Sequence, residues 1–332
     1  MDMVHLPRRS FLAMAPVALL PGLLRAEEKG KTAADAPAKK RLLPLSTIFK
    51  GEAKFAALVK KAQSEGWAKL PIGERTAKFG QALLGVPYVN FTLEIDDHIE
   101  SPSVNLTALD CWSFFEQSLG LARMIGFQKP EYTPDDLLRQ IEFTRYRGGV
   151  CTGNYLERIH YLAEWFFEND ARGAARHITG ELPGATRITG RKVSEMTTLW
   201  KSYRYLRNNP ELRAPMKETE DMVARLPVYH IPKSKVAAIE SKLQSGDVIG
   251  IATKYNGAFC SHVGLALKNK DGEMRFMHAS RNYKKVVVDK TISGYLNDFS
   301  AHAGILVGRP LEVSETVSDK AVYEANLKKL LT

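Results

Sequence analysis

A cysteine at a predicted helix start is the residue with the clearest capacity for chemistry. Cys111, Cys151 and Cys260 cannot all pair within one chain, so at least one thiol stays outside internal disulfides. Cys111 follows Asp110, a residue type that caps helices, and a helical pattern continues from there. The dipole and the unpaired N–H groups of a helix start stabilise a thiolate and an oxyanion. The pattern therefore predicts a nucleophile at Cys111, with a buried structural thiol as the alternative.

The two other cysteines have less informative surroundings. Cys151 lies in a glycine-rich loop, and we interpret it as structural. Cys260 lies two residues before His262, so a strand would place both side chains on one face. A Cys151–Cys260 disulfide is compatible with an oxidising compartment, and the sequence leaves that pairing open.

Two of the eight histidines have the context of a catalytic base. His262 begins a predicted strand over 261–267, and His278 ends the next one, over 274–279. If these strands are antiparallel neighbours, His262 can take the thiol proton while His278 orients it. The sequence does not fix the register that this pairing needs. A zinc site of Cys111 and both histidines is the alternative, but the short ligand spacing typical of zinc sites is absent.

The elements that would hold these residues change type along the chain. Helical periodicity covers 51–66, 72–84 and 106–126, an extended segment is predicted over 88–95, and a mostly helical insertion fills about 127–229. Short β-branched runs follow at 248–253, 261–267, 275–279, 286–289 and 305–307. This order predicts an α+β fold, with helices packed on an antiparallel sheet of about five strands and a large helical insertion.

The N-terminal residues 1–26 are predicted to be an export signal of the twin-arginine type, with an ordinary Sec signal as the alternative. Arg8 and Arg9 precede an apolar run over 11–24, which is too short to span a membrane. We therefore expect a periplasmic or secreted protein with no integral membrane segment after removal of the signal.

The mature chain is predicted to begin with a flexible linker over 27–46, rich in Lys, Ala and Pro, followed by a single catalytic domain over 47–332. The net charge of +10 falls to +8 when three Arg and one Asp leave with the signal. Excess positive charge favours anionic partners, and outside the cytoplasm the cell wall is a better candidate than nucleic acid. Solvated surface lysines are the ordinary alternative.

Five motifs, in this order, resemble those of the NlpC/P60 superfamily of cell-wall thiol peptidases. They are a Pro-Tyr segment, an Asp-Cys pair opening a helix, a Gly-Asp before a strand, a Ser-His-Val-Gly strand, and a His-Ala ending the next strand. The sequence has them as Gly85-Val86-Pro87-Tyr88, Asp110-Cys111, Gly246-Asp247, Ser261-His262-Val263-Gly264 and His278-Ala279-Ser280. The resemblance implies a papain-like NlpC/P60 fold.

Further stretches resemble the DUF1460 branch, whose members are N-acetylmuramoyl-L-alanine amidases. This resemblance covers about 79–310 and so includes the helical insertion. The stretches are Val104-Asn105-Leu106, Thr144-Arg145-Tyr146-Arg147-Gly148, Arg158-Ile159-His160-Tyr161 with Trp165, Tyr229-His230-Ile231-Pro232-Lys233, and residues 304–310.

The resemblance implies a role for each matching residue. Cys111 would be the nucleophile, His262 the base and His278 the orienting group, with no metal or other cofactor. The residues expected to face the substrate are Tyr88, Asp110, Trp112 and Ser261. Trp112 departs from the family pattern, where Ser or Thr often follows the cysteine.

Arg147 and Arg158 are added as substrate-binding candidates because guanidinium groups bind carboxylates. A structural ion pair is the alternative for each of them.

The cysteine and histidine pattern predicts a thiol hydrolase, and the resemblance implies that it cleaves the amide between N-acetylmuramic acid and L-alanine in cell-wall fragments. A γ-D-glutamyl-diamino acid endopeptidase is one alternative, and a non-catalytic cell-wall-binding protein is another. The expected partner is peptidoglycan or a muropeptide, and the oligomeric state stays open.

Overall fold

The computed structural model of the protein describes residues 41–314 and 320–331. The predicted export signal, and the linker up to residue 40, lie outside these residues. The α-helices of the described residues are α1 Leu45–Ile48, α2 Glu52–Ser64, α3 Ile72–Ala82, α4 Cys111–Gly126, α5 Pro134–Arg145, α6 Leu162–Ala171, α7 Glu195–Thr198, α8 Arg204–Asn208, α9 Arg213–Ala224, α10 Val236–Ile239, α11 Ile292–Asn297 and α12 Lys320–Leu331.

The strands form one large antiparallel sheet and one separate parallel pair. The large sheet has the order β4-β5-β10-β6-β7-β8-β9, with β3 also paired to β10, while β1 pairs with β2. The strands are β1 Phe49–Lys50, β2 Val104–Asn105, β3 Ala175–His177, β4 Thr186–Arg187, β5 Tyr229–Pro232, β6 Val248–Thr253, β7 Cys260–Lys268, β8 Met274–Ser280, β9 Lys285–Thr291 and β10 His302–Pro310.

The sheet is larger than the sequence predicts. Each of the five predicted strands lies within one of β6 to β10, so the antiparallel C-terminal half is confirmed. The prediction of about five strands is wrong, because β3, β4 and β5 also join the sheet. These three strands are only two to four residues long, and β3 and β4 lie inside the segment predicted to be helical. Runs this short show no measurable alternation of polar and apolar residues.

The helix that begins at Cys111 lies in the core of the molecule. Every residue of α4 from Ser113 to Ile125 is buried, which is typical of a helix enclosed on all sides. It packs against α3 and α5 and against β7 and β8. Cys111 is the first residue of this helix, so the packing of α4 fixes its position at the edge of the core.

Two boundaries near the N-terminus differ from the predicted ones. The helix α1 begins at Leu45, so the segment before the first helix ends two residues earlier than the predicted linker. The segment 88–95 is not extended: after one bridge between Tyr88 and Leu109 the chain turns at Phe91, which has a φ of 58°.

No helix among the described residues is long and apolar enough to cross a membrane.

Candidate active site

An open cleft lies where the start of α4 meets the start of β7. Its volume is about 430 Å³. The lining includes residues of the 88–94 segment, Asp110 and the first two residues of α4, residues 260–263 of β7, residues 158–162 and 195–196 of the insertion, and Arg281 after β8. Cys111 and His262 therefore face the same cavity.

Asp110 caps α4 and holds Cys111 in place. Its Oδ1 accepts hydrogen bonds from Ser113 N–H at 2.7 Å and from the Ser113 hydroxyl at 2.8 Å, and Asp110 N–H donates to Ser113 Oγ at 2.9 Å. This reciprocal arrangement is a capping box. Its Oδ2 accepts from Thr92 N–H and from the Thr92 hydroxyl, at 3.1 and 2.8 Å. Asp110 is expected from the sequence to face the substrate, but both of its carboxylate oxygens accept hydrogen bonds from Ser113 and Thr92 in the wall of the cleft.

The surroundings of Cys111 favour the neutral thiol, contrary to the expectation from its helix-start position. Burial, and after it the Asp110 carboxylate, raise the pKa of Cys111 to about 12. Backbone N–H groups of Val263, Trp112 and Cys111 itself face the sulfur and lower that pKa. Burial and the nearby negative charge outweigh these donors. The contact with Val263 also places the sulfur beside the residue that follows His262.

The two histidine rings meet at the cleft end of their strands. His262 Nε2 and His278 Nδ1 are 2.7 Å apart, and the ring planes are 86° from parallel. The paired ladder between β7 and β8 ends at Leu265 and Met277, so both histidines lie just beyond it. Gly264 permits this approach, because a Cβ there would lie 2.8 Å from the Cβ of His278. The structure therefore brings the two predicted histidines together.

A carboxylate continues this row of polar groups. Asp289 Oδ2 lies 3.4 Å from His278 Nε2, and Asp289 Oδ1 accepts Lys290 N–H at 2.8 Å. Burial lowers the pKa of His278 to about 4, although Asp289 acts in the opposite direction. Burial, and then His278, lower the pKa of His262 well below 6.5. Both imidazoles are therefore neutral at pH 7, and His262 is able to accept a proton.

We expect the acid limb of the pH–rate profile to lie below pH 6.5, the ordinary histidine pKa. A base with a lowered pKa stays unprotonated as the pH falls to 6, and it loses function only when the pH passes its own pKa. The measurement is kcat/KM on a muropeptide between about pH 4 and pH 9. An acid limb at or above pH 6.5 would contradict the lowered pKa of His262.

The fold must be monitored in the same experiment. The unfolded chain takes up protons below pH 6.5, while the buried His262 and His278 resist protonation in the folded state. The free energy of unfolding therefore decreases as the pH falls below 6.5. Circular dichroism at each pH separates loss of the fold from protonation of the base.

Tyr88, Trp112 and Ser261 line the cleft together with two further predicted substrate residues, Asp110 and Arg158. The Tyr88 hydroxyl donates to Asn90 Oδ1 at 2.9 Å, and burial raises the pKa of Tyr88 to about 12. The Trp112 ring lies edge-on to Phe115, with centroids 5.7 Å apart, and Ser261 is exposed. These side chains are placed to contact a molecule in the cleft.

The two arginine candidates occupy different positions, and neither guanidinium is available. Arg147 lies outside the cleft lining, and its guanidinium is bound by Glu164 and the Leu156 carbonyl, so the structure does not bring it to this site. Arg158 does line the cleft, but it is 4% exposed and pairs with Glu94 at 2.5 Å. The observed contacts of both arginines are those of the alternative interpretation, a structural ion pair, with Glu164 for Arg147 and with Glu94 for Arg158.

The cysteines are not joined by disulfides. The Cys151–Cys260 bridge that the sequence leaves open is therefore absent. Cys260 lines the same cleft as Cys111, whereas Cys151 is buried away from it. Within residues 41–314 and 320–331, no group of three or more His, Cys, Asp or Glu side chains is arranged to hold a metal ion.

Sequence reasoning does not identify two residues at this site, Asp289 and Arg281. Asp289 is two residues from Val287, which pairs with His278, so finding it requires the strand register. Arg281 follows the His278-Ala279-Ser280 motif directly, and that proximity is the signal that would have found it.

The fold and the cleft define a mixed α/β protein with a thiol and an imidazole facing one cavity. A family model described as AmiA-like, N-acetylmuramoyl-L-alanine amidase-like, matches residues 78–305. The chain belongs to this family. A search of curated proteins found no match.

Three solved structures share the fold of this chain. An N-acetylmuramoyl-L-alanine amidase from Bacteroides uniformis is 30% identical, with a TM-score of 0.64, over 73% of this chain and 99% of its own. A Bacteroides fragilis protein named provisionally as a xylanase is 31% identical, with a TM-score of 0.61, over 70% and 99%. A Legionella pneumophila protein of family DUF1460 is 19% identical, with a TM-score of 0.58 over 80% and 97%, and shares the fold.

The family and the Bacteroides uniformis amidase support a peptidoglycan amidase-like role for the chain. The assignment to the NlpC/P60 superfamily and its papain-like fold stays a prediction.

Proposed function

We propose that the protein is a cysteine amidase that hydrolyses the bond between the lactyl carbonyl of N-acetylmuramic acid and the nitrogen of L-alanine. The observation that carries this proposal is one cleft with a thiol at a helix start and a neutral His262 in contact with His278. The amidase-like family and the Bacteroides uniformis amidase supply the substrate class. Export to the periplasm or beyond is part of the proposal, since peptidoglycan is found there.

The first half of the reaction forms a thioester. The Cys111 sulfur attacks the lactyl carbonyl carbon while its proton passes to His262. Backbone N–H groups at the start of α4 stabilise the oxyanion of the tetrahedral intermediate. His262 then gives the proton to the departing L-alanine nitrogen, the C–N bond breaks, and the peptide leaves as an amine.

The second half restores the enzyme. His262 takes a proton from water, and the resulting hydroxide adds to the thioester carbon. The C–S bond breaks, the proton returns to the Cys111 sulfur, and the muramic acid leaves with a free lactyl carboxylate. The raised pKa of Cys111 fits this scheme, because the proton then moves during the attack and no thiolate–imidazolium pair is needed beforehand.

The alternatives predict different products from the same mixture. An endopeptidase acting between D-glutamate and the diamino acid would leave L-Ala-D-Glu on the muramic acid. A non-catalytic wall-binding protein would bind muropeptides and leave them unchanged. The proximity of Cys111, His262 and His278 favours an enzyme over a binding protein.

The test is to incubate the mature protein with purified muropeptides and to identify the products by mass spectrometry. We expect an intact stem peptide beginning with L-alanine and a muramic acid with a free lactyl carboxylate, whose masses together exceed that of the muropeptide by about 18, the one water added by hydrolysis. Muramyl-L-Ala-D-Glu as the product would overturn the proposal in favour of the endopeptidase. Unchanged muropeptides would overturn the enzyme assignment for this substrate class.

A further inference from the structure

We propose that Asp289 is a positioning residue that sets the proton positions on His278 and His262. Its effect on turnover rests on the proposed function, whereas its effect on the histidines does not. Asp289 lies on β9, two residues from Val287, which is the partner of His278 on β8. Residues two apart on a strand share a face, so the carboxylate lies on the same face as the imidazole.

The carboxylate is buried and held in one orientation. The Asp289 side chain is 9% exposed, and Lys290 N–H donates to its Oδ1 at 2.8 Å. Its Oδ2 is then directed at His278 Nε2, 3.4 Å away. This distance is at the long end for a hydrogen bond, so Asp289 acts through its charge and through its inability to donate a hydrogen.

The hydrogen positions follow from this arrangement. An ionised carboxylate only accepts hydrogen bonds, so the ring nitrogen facing it, His278 Nε2, carries the hydrogen. Because this ring is neutral, its Nδ1 has a bare lone pair, which accepts from His262 Nε2 at 2.7 Å. Neutral His262 therefore keeps its own lone pair on Nδ1, the nitrogen that does not contact His278. That nitrogen is the one available for the Cys111 proton.

Aromatic packing limits the alternatives open to these rings. Phe276 stacks on His278 with ring centroids 4.7 Å apart and planes 19° from parallel. Tyr295 lies 4.7 Å from Phe276 and 5.1 Å from His278, also between centroids. A ring held in this way cannot rotate to exchange its two nitrogens without displacing its neighbours. The choice of tautomer is therefore left to the groups that face each nitrogen.

The first test replaces Asp289 by groups that differ in charge and size. Asp289→Asn keeps the size but offers an N–H donor, which favours the opposite tautomers and puts a hydrogen on His262 Nδ1. We expect kcat to fall by about 100-fold, with KM within about twofold of the original. Asp289→Glu restores the carboxylate and should retain more activity than Asp289→Asn, whereas a purely packing role predicts the reverse order.

The control is Asp298→Asn. Asp298 is an exposed acid just after α11, and it pairs with Lys290 of β9 at 2.9 Å. The kcat of this variant should stay within about threefold of the original. A kcat for Asp289→Asn within the same range would overturn the proposal, as would higher activity for Asp289→Asn than for Asp289→Glu.

The second test reads the tautomers directly and needs no turnover. Side-chain ¹⁵N spectra of the labelled protein distinguish a protonated ring nitrogen from a bare one. We expect a hydrogen on Nε2 and none on Nδ1 for both His262 and His278. A hydrogen on Nδ1 of either ring would overturn the proposal even if the protein proves to be an amidase, and even if Asp289→Asn fails to fold.

A second observation, independent of the first, concerns Arg281. We infer that its guanidinium binds a carboxylate of the stem peptide, an inference that rests on the proposed function. Two arginines line the cleft, and Arg158 is neutralised by Glu94 at 2.5 Å. Arg281 is exposed, and within residues 41–314 and 320–331 it has no hydrogen-bond or ion-pair partner. A guanidinium left unpaired in the cleft that also holds Cys111 is suited to an anionic part of the ligand.

The turn that bears Arg281 is anchored to the cleft wall. Tyr283 N–H donates to Ser280 Oγ at 3.3 Å, and Tyr88 N–H donates to the Lys284 carbonyl at 2.9 Å. Arg281 also acts on Tyr88, whose pKa it lowers against the larger effect of burial. The three carboxylates of the cleft lining, Glu94, Asp110 and Glu195, already accept hydrogen bonds inside the protein, so none of them is bound to Arg281.

The test compares two muramyl dipeptides that differ in one group, the α-carboxylate of D-glutamate or its carboxamide. Calorimetry with the Cys111→Ala protein measures binding without turnover. We expect the carboxylate to bind about tenfold more tightly, and Arg281→Gln on that background to remove the preference. The matched control, Lys285→Gln, removes an exposed cation outside the cleft lining. This variant should keep the preference for the carboxylate.

Equal affinity of the Cys111→Ala protein for the two dipeptides would overturn this inference. An equal loss of affinity for both dipeptides on adding Arg281→Gln would also overturn it. Turnover of muropeptides by the unmodified protein, measured separately, shows whether the proposed function itself holds.

Discussion

Cys111→Ala is expected to reduce muropeptide hydrolysis by about 10⁴-fold or more, which is the usual effect of removing a catalytic nucleophile. Without the sulfur no thioester forms, and His262 has no thiol to deprotonate. The substitution removes one atom from the half-buried first residue of α4 and leaves the Asp110–Ser113 capping box intact. We therefore expect the fold and muropeptide binding to persist. The measurement is the rate of release of the stem peptide.

The other cleft cysteine supplies the control for this prediction. Cys260 lines the same cavity and shares its chemistry, but the proposed mechanism gives it no role. Cys260→Ala should stay within about threefold of the parent rate. Substantial hydrolysis by Cys111→Ala, or a loss of activity in Cys260→Ala alone, would show that Cys111 is not the nucleophile.

Arg145→Met is expected to reduce the free energy of unfolding by about 3–5 kcal/mol, because it leaves a charge buried without its partner. Arg145 pairs with Glu116 of α4 at 2.7 Å, and both side chains are 0% exposed. The guanidinium also donates to the Ser103 hydroxyl and carbonyl, at 3.1 and 3.0 Å. Glu116 lies one and a half turns beyond Cys111, so this pair supports the helix of the site. Urea unfolding measures the change.

Two comparisons identify the cause of that loss. Arg145→Met combined with Glu116→Leu removes both charges and should recover most of the stability. Lys217→Met breaks an exposed pair with Asp221 on α9, both side chains 51% exposed, and should cost at most about 1 kcal/mol. A loss for Arg145→Met no larger than that for Lys217→Met would show that the buried pair contributes little.

The sequence predicts the parts of the site that depend on local pattern. An Asp before an apolar helical run is a local signal, and it correctly predicts a helix start at or near Cys111, whereas the helical periodicity extends back to residue 106, before the observed start of α4. The short β-branched runs of the C-terminal half likewise predict a strand within each of β6 to β10. The motif order then relates Cys111 to His262 and His278. The strands bring the rings of these two histidines to 2.7 Å, measured between His262 Nε2 and His278 Nδ1.

The remaining features depend on contacts between distant segments. The residue after the turn at Phe91, Thr92, donates a hydrogen bond to Asp110, which is 18 residues away. Arg147 is directed away from the cleft by Glu164, and nothing in the local sequence shows that pairing. The pKa of Cys111 rises because burial outweighs the helix start, and burial is a property of the packed molecule.

The most direct measurement of the central claim is the mass of the acyl group held on the enzyme during turnover. Acid quenching in the first turnovers preserves a thioester, and mass spectrometry of the peptide containing Cys111 identifies what is attached. We predict a muramyl group linked to Cys111 through its lactyl carbonyl. A peptidyl group on Cys111, or a muramyl group on any other residue, would contradict the account.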